Sequence, residues 1–215
     1  MKRKKEQHSP VRRFSKKRVR RRFASLKLNR MVYAESLNEK NCFRLLDFDS
    51  DVIDYREQPF KILYIAYGEK HHYTPDIEVI RKYKKQIVEV KPFDKLNDEE
   101  SIRQFEVGRR YALESGYEYI VMTEREIYGQ LLDNIEFLYR YARQGEVPFP
   151  YRLETKKIVN SVESITIERL SKQLQVLDRK INPLPYIYAL IYQGEIFADL
   201  NDTICVKSKV GKWAA

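Results

Sequence analysis

The sequence predicts an α/β protein: a mixed sheet with helices packed on it in the order α-β-β-β-α-β-α, then a smaller region of short helices and a hairpin. Three observations predict it. Apolar residues recur at helical spacing in some segments and alternate in others. Turn-forming residues fall between those segments. The pattern also changes after the Pro-containing stretch GEVPFPYR, so residues 146–154 read as a linker.

The elements follow in order. Residues 33–46, YAESLNEKNCFRLL, have the spacing of a helix of three to four turns, with Leu37, Cys42, Leu45 and Leu46 on or beside its buried face. DFDSDVIDYREQ reads as a polar connection with a short extended piece. Pro59 disfavours helix at Gln58 and opens an alternating strand at 60–67. Strands at 73–80 and 86–92 follow, the last stopped by Pro92, and the three form an antiparallel meander. A helix at about 97–115 is capped by Asn97 or Asp98 and ended by Gly116. Residues 117–123 make a fourth strand, and Thr123 with Glu126 has capping-box spacing for a helix over about 124–143. Beyond 154, three short helical segments precede a two-stranded hairpin in EIFADLNDTICVKS, a pattern that resembles a winged helix-turn-helix. The domains expected are an arm (1–30), an α/β domain (31–145), the linker, and a winged-helix-like domain (155–215).

Composition excludes several classes. The 215 residues carry 41 Lys+Arg against 31 Asp+Glu, a formal net charge of +10, and 43% are hydrophobic, with 16 Tyr and 10 Phe, as in a folded protein. The longest apolar run, Tyr186 to Tyr192, is far short of a membrane span, and no apolar segment near the start reads as a secretory signal. Cys42 and Cys205 are too far apart to read as a zinc site and do not make a disulfide framework. A cytoplasmic location is expected, with no membrane partner.

The charge is segregated. Residues 1–30 hold 14 Lys/Arg and one acid, leaving residues 31–215 with 27 Lys/Arg against 30 Asp/Glu. A block of like charge repels itself and meets polyanions, so 1–30 reads as a solubilising tail or, more sharply, as a flexible phosphate-binding arm, with Arg12, Arg13, Lys16, Lys17, Arg18, Arg20, Arg21 and Arg22 as its contacts; charge alone does not separate DNA from RNA. Phe14 and Phe23 interrupt the basic runs and either stack on bases or anchor the arm.

Strand alternation decides which side chains share a surface. In IVEVK, Val88 and Val90 point one way and Glu89 and Lys91 the other; in PDIEV, Ile77 and Val79 oppose Asp76 and Glu78. Asp76, Glu89 and Lys91 therefore gather on one face near the strand ends. Two close carboxylates repel unless a cation joins them, and Mg²⁺ suits one or two carboxylates with water and phosphate oxygens. Lys91 beside them can orient a water and offset charge growing on a phosphate. These roles together amount to phosphodiester hydrolysis. His71 and His72 read as loop residues, and the tyrosines as core and interface packing.

The residues PD76…E89VK91 in this element order resemble the PD-(D/E)xK restriction-endonuclease-like nucleases. The longer series ESxxE…YREQP…YTPD…VEVKP resembles, more narrowly, the TnsA endonuclease subunits of heteromeric, Tn-seven-type transposases, over about residues 30–143. The resemblance implies a restriction-endonuclease-like core and a metal-dependent DNA endonuclease with Asp76, Glu89 and Lys91 in its active site. An acid from the first helix completes the set, Glu35 by preference, with Glu39 as the alternative. Asp76, Glu89 and that acid would hold Mg²⁺, with Mn²⁺ substituting, and Gln58 falls in the family motif as an accessory residue. Some members carry Gln where this chain has Glu89, and an acid binds metal at least as well.

The implied role is cleavage of double-stranded donor DNA at the transposon 5′ ends, beside a TnsB-like transposase that cuts and joins the 3′ ends. A TnsC-like ATPase regulator would engage the C-terminal region. Two other readings stand beside this one: a catalytically inert DNA-binding adaptor on a nuclease fold, and a stand-alone restriction or repair nuclease.

Overall fold

A computed structural model describes residues 21–212. They fall into two compact units that divide between Ile127 and Tyr128. Among the described residues no helix is long and apolar enough to cross a membrane. Six of the proposed arm contacts, Arg12, Arg13, Lys16, Lys17, Arg18 and Arg20, lie outside the described residues.

The first unit opens with an antiparallel hairpin, β1 (Arg21–Ser25) and β2 (Arg30–Ala34), in which Arg21 pairs with Ala34. Alternation buries Phe23, Ser25, Val32 and Ala34 and turns Arg22 outward; Arg21, the first residue of the strand, is exposed as well. The last ten residues of the expected arm are thus folded, a correction to the boundary at 30. Phe23 is an anchor and does not stand free to stack on bases.

Helix α1 (Leu37–Phe48) starts at Ser36, whose Oγ accepts from the Glu39 N–H at 3.0 Å. Its buried face is Asn41, Cys42, Phe43, Leu46 and Asp47. Leu37, expected on or beside that face, is the first residue of the helix and is 41% exposed, whereas Phe43 is buried at 1%. Buried Asp47 accepts from Ser25 Oγ, from Leu26 N at 3.1 Å and from Tyr55 Oη at 2.9 Å. Lys27 Nζ donates to the carbonyls of Asp49 and Val52 at the helix end. The hairpin is therefore tied to α1 by satisfied buried polar groups.

The main sheet has the order β3-β6-β7-β8, built from β3 (Val52–Glu57), β6 (Ile77–Arg81), β7 (Lys85–Val90) and β8 (Glu118–Met122). The first three are antiparallel, and β8 is parallel to β7 across the connection through α2 (Glu99–Ser115). Helix α2 ends at Gly116, whose φ of +71° favours a residue without Cβ. Cys42 of α1 lies against Met122, while Gly108 of α2 lies against Tyr119. Those two β8 residues are an odd number of positions apart, so the helices cover opposite faces of the sheet.

The expected meander is corrected in two places. The edge strand is β3, inside the stretch read as a polar connection. A register shift between Val52 and Asp54 lets Val52 and Tyr55 both be buried three positions apart, which erases the period-two signal. The strand expected at 60–67 does not join this sheet. It is β4 (Ile62–Ala66), which folds back on β5 (Glu69–Tyr73) as a separate two-stranded sheet. Tyr67 and Gly68, both at positive φ, make the tight turn such hairpins need. Pro75 interrupts the strand read as continuous over 73–80, since it has no N–H for a ladder. With β3 as the first strand, the α-β-β-β-α-β order holds for the main sheet.

After β8, Thr123 forms the expected capping box: its N and Oγ1 both donate to Glu126 Oε2, at 2.7 and 2.6 Å. The helix expected over 124–143 is two helices, α3 (Glu124–Ile127) and α4 (Gln130–Ala142), broken at Tyr128–Gly129. The division between the units falls at this break.

In the second unit α4 packs on α7 (Leu184–Tyr192). Helices α5 (Phe149–Ser161) and α6 (Ile167–Leu174) and a sheet ordered β10-β11-β9 complete it: β9 is Ile165–Thr166, β10 Phe197–Ala198 and β11 Lys209–Gly211. Residues 149–154, read as linker, are helical, because Pro148 and Pro150 stand where proline suits a helix start. Buried Asn134 donates to the carbonyls of Leu200 and Asp202 and accepts from Ile204 N, fixing the loop before β11. Tyr141 and Tyr188 pack with Phe137, as the packing role read for the tyrosines requires.

Candidate active site

Asp76 stands one residue before β6 and Glu89 near the end of β7. Ile77 pairs with Val88, so Asp76 faces Glu89 at the next register step. Lys91 follows β7 directly, its N–H bonded to the Met122 carbonyl of β8 at 2.9 Å. The expected trio is therefore gathered at one end of the central strands.

Each group is held. Asp76 Oδ2 accepts from Val90 N at 2.8 Å. Glu89, 3% exposed, accepts at Oε2 from Tyr73 Oη at 2.5 Å, and its Oε1 lies 3.2 Å from Lys91 Nζ. Lys91 Nζ also donates to Gln104 Oε1 of α2 at 3.1 Å, and Gln104 Nε2 donates to Glu100 at 3.2 Å. Burial, then the charges of Glu89 and Glu39, push Asp76 well above the usual carboxylate range against the help of Val90 N–H and Lys91. Burial also raises Glu89, although Tyr73 and Lys91 oppose it. Such a pair is poised to accept a positive partner.

The third acid is differently arranged from the expectation. Glu35 lies outside the helix, one residue before the capping Ser36, so it does not share a helix face with Glu39. It is exposed, and its Oε1 accepts from Gln58 Nε2 at 3.1 Å, while its N–H donates to Glu39 Oε2 at 2.8 Å. Glu39 is the α1 acid whose charge acts on Asp76. Gln58, at φ +46°, donates its N–H to the Asp76 carbonyl at 2.8 Å and so links Glu35 to Asp76 just before β6.

Among the described residues no three His, Cys, Asp or Glu side chains converge in a metal-holding group. The donor set at the strand ends is two carboxylates, and this suits Mg²⁺, which keeps most of its coordination for water and phosphate oxygens. Cys42 beside Asp76 is no nucleophile: burial, then the charges of Asp76 and Glu39, push its thiol up to about 12. His71 stacks on Tyr64 in the β4–β5 hairpin, and both His71 and His72 belong to strand β5, not to a loop.

The sequence reading missed Tyr73, Gln104 and Tyr119. Tyr73 and Tyr119 share a 3.0 Å hydroxyl contact next to Glu89. Tyr73 was visible only as the first letter of YTPD, and Gln104 only as a residue one helical turn beyond Glu100.

Two comparisons with known proteins bear on this site. Residues 49–124 match the family model for the TnsA-like endonuclease N terminal, a span that holds Gln58, Asp76, Glu89 and Lys91. The chain is 28% identical over 135 residues to transposon Tn7 transposition protein TnsA of Escherichia coli, covering 55% of this chain and 50% of that protein. It thus spans about half the length of that relative. Both matches agree with the motif series, and the chain is TnsA-like over this region.

Proposed function

We propose that this TnsA-like chain is the metal-dependent DNA endonuclease subunit of a cut-and-paste transposase, hydrolysing phosphodiesters at the transposon 5′ ends. The observation that carries the reading is the facing pair Asp76 and Glu89 with Lys91 Nζ 3.2 Å from Glu89.

Asp76 and Glu89 would hold Mg²⁺, or Mn²⁺ in its place, with Glu39 a further acid whose charge acts on Asp76 and Glu35 linked through Gln58. The bound metal supplies a polarised phosphoryl oxygen and a water of lowered pKa. Lys91 brings a positive charge to that end of the sheet and holds it still between Glu89 and Gln104. There it offsets charge gathering on the phosphate and orients the attacking water. Gln58 fixes the backbone at Asp76, so the carboxylate need not reorganise when substrate arrives.

DNA binding is assigned to the basic N-terminal stretch. Exposed Arg21 and Arg22 lie on β1, and Arg21 pairs with Ala34, one residue from Glu35, so the stretch joins the fold near the acids. In the second unit, the helices α5, α6 and α7 with the small antiparallel β10-β11-β9 sheet support a winged-helix-like reading and a docking role toward a TnsC-like ATPase. A TnsB-like transposase would be the cutting partner, and the reaction would take place in the cytosol.

The test is end-labelled transposon-end DNA with Mg²⁺, with and without the partner transposase. Metal-dependent 5′-end cleavage that disappears in Asp76→Ala supports the reading. Undiminished cleavage by purified Asp76→Ala removes it, and metal-dependent cutting with no partner and no end preference favours a stand-alone nuclease.

A further inference from the structure

We propose that Tyr73 is a positioning residue for Glu89, braced in turn by Tyr119 in the space that Gly108 leaves. The inference deepens the nuclease reading and rests on it.

The two tyrosines form a directed chain. Tyr73 has one hydroxyl proton and gives it to Glu89 Oε2 at 2.5 Å. Its 3.0 Å contact with Tyr119 Oη is therefore one in which Tyr119 donates. Both protons point toward the carboxylate. Burial, then the charge of Glu89, pushes each phenol upward, so both stay protonated donors at neutral pH.

The chain joins separate elements. Tyr73 closes β5 of the two-stranded sheet, Glu89 lies on β7, and Tyr119 lies on β8. Tyr73 is itself pinned in an apolar cluster with Ile62 and Val107. On the other side of the carboxylate, Lys91 takes Oε1. With its two oxygens held by different donors from different elements, Glu89 has its plane and rotamer set before any cation arrives.

Gly108 explains how Tyr119 comes to lie there. A Cβ at position 108 of α2 would run into the Tyr119 ring and its hydroxyl. Glycine inside a helix is unfavourable relative to alanine, so its place here follows from the ring that occupies the gap. Helix α2 thus supports Glu89 through Gly108 and Tyr119, and Lys91 through Gln104.

The experiment measures Mn²⁺ binding to the full chain by water-proton relaxation, with no need of cleavage. Tyr73→Phe keeps the ring and removes the proton. Loss of a partner that orients a ligating carboxylate typically weakens metal affinity by about 10–100-fold, and about tenfold is expected here. Tyr119→Phe and Gly108→Ala should shift affinity in the same direction by less.

A purely packing role would lower the melting temperature and leave half-saturation by Mn²⁺ unmoved. Folded Tyr73→Phe with wild-type half-saturation overturns the inference. If that variant does not fold, Tyr119→Phe decides by the same measure. Asp76→Ala separates the two readings: Mn²⁺ binding unaffected by that change defeats the metal site itself, whereas its loss there with no effect in Tyr73→Phe defeats only the positioning role.

Discussion

Asp76 and Glu89 face each other across β6 and β7, one register step beyond the Ile77–Val88 pair, and each is held above its ordinary pKa chiefly by burial. A folded acid with a raised pKa keeps protons that the unfolded chain gives up. The pair's effect on stability is therefore most favourable below the unfolded carboxylate values and is lost as pH rises through the folded ones. Without metal, thermal stability should fall as pH climbs from acidic toward neutral through this pair, and Mg²⁺ should restore more at pH 7.5 than at pH 5. Asp76→Asn, which keeps an oxygen for the Val90 N–H, should raise the metal-free melting temperature by about 2–4 °C, near 1 kcal/mol for a chain of this size, while ending cleavage. A lower melting temperature for Asp76→Asn in chelator would contradict this account.

A second prediction concerns the boundary of the basic stretch. Residues 1–20 carry ten Lys/Arg and one acid. Their removal should weaken DNA binding and flatten its salt dependence while leaving the melting temperature unchanged. Removing residues 1–34 instead strips Phe23 and Val32 from α1 and leaves Asp47 buried without Ser25 and Leu26. Asp47→Ala alone should cost about 3 kcal/mol, since it leaves buried hydroxyls of Ser25 and Tyr55 unsatisfied. Urea denaturation of the three proteins distinguishes a hairpin that is part of the fold from one that is merely attached to it.

What was legible in the sequence was local, or survived a change of partner. Gly116 and the Thr123–Glu126 box mark element ends by their own chemistry and stand where they were read. Asp76 and Glu89 share a face because adjacent strands keep alternating to their ends, whichever strand lies on the far side. Strand β3 was hidden by its own register shift, which puts Val52 and Tyr55 on the buried side at odd spacing. The separate β4–β5 sheet was hidden because alternation shows that a segment is a strand and not which strand it pairs with. Tyr73 and Gln104 touch the site through tertiary packing of β5 and α2, and no short-range spacing encodes that.

A third prediction follows from Arg81, which joins the end of α1 to the main sheet. Its Nη1 donates to Asp49 at 2.5 Å and to Asp51 at 3.3 Å, and its Nε to Gln86 at 2.6 Å. Burial opposes ionisation of Asp49, but the hydrogen bonds from Arg81 and the Asp51 N–H outweigh it, so the carboxyl sits below its ordinary pKa. The stabilisation is present above the unfolded pKa and lost as pH falls through the folded one. The pair is partly exposed, so Asp49→Asn should cost no more than about 1 kcal/mol at pH 7. That difference from wild type should shrink at pH 3.5 in urea titrations. A cost independent of pH would mean that packing, not charge, makes the contribution.

The last prediction separates stability from activity at Gln58. Its φ of +46° places a side chain in the left-handed region, where asparagine is more readily accommodated than glutamine. The Gln58 N–H bond to the Asp76 carbonyl belongs to the backbone and survives substitution, whereas the Nε2 contact with Glu35 needs the full length of the side chain. Gln58 is only half-buried, so Gln58→Asn should keep stability within about 0.5 kcal/mol of wild type, as for most substitutions outside the core. It should nonetheless reduce cleavage severalfold by removing the Gln58 contact to Glu35, whose N–H donates to Glu39. Because Glu39 acts on Asp76, the same variant should shift the Mn²⁺ dependence of the reaction toward higher metal. Equal cleavage by both proteins at every metal concentration would confine Gln58 to its backbone bond and leave Glu35 without a part in the site.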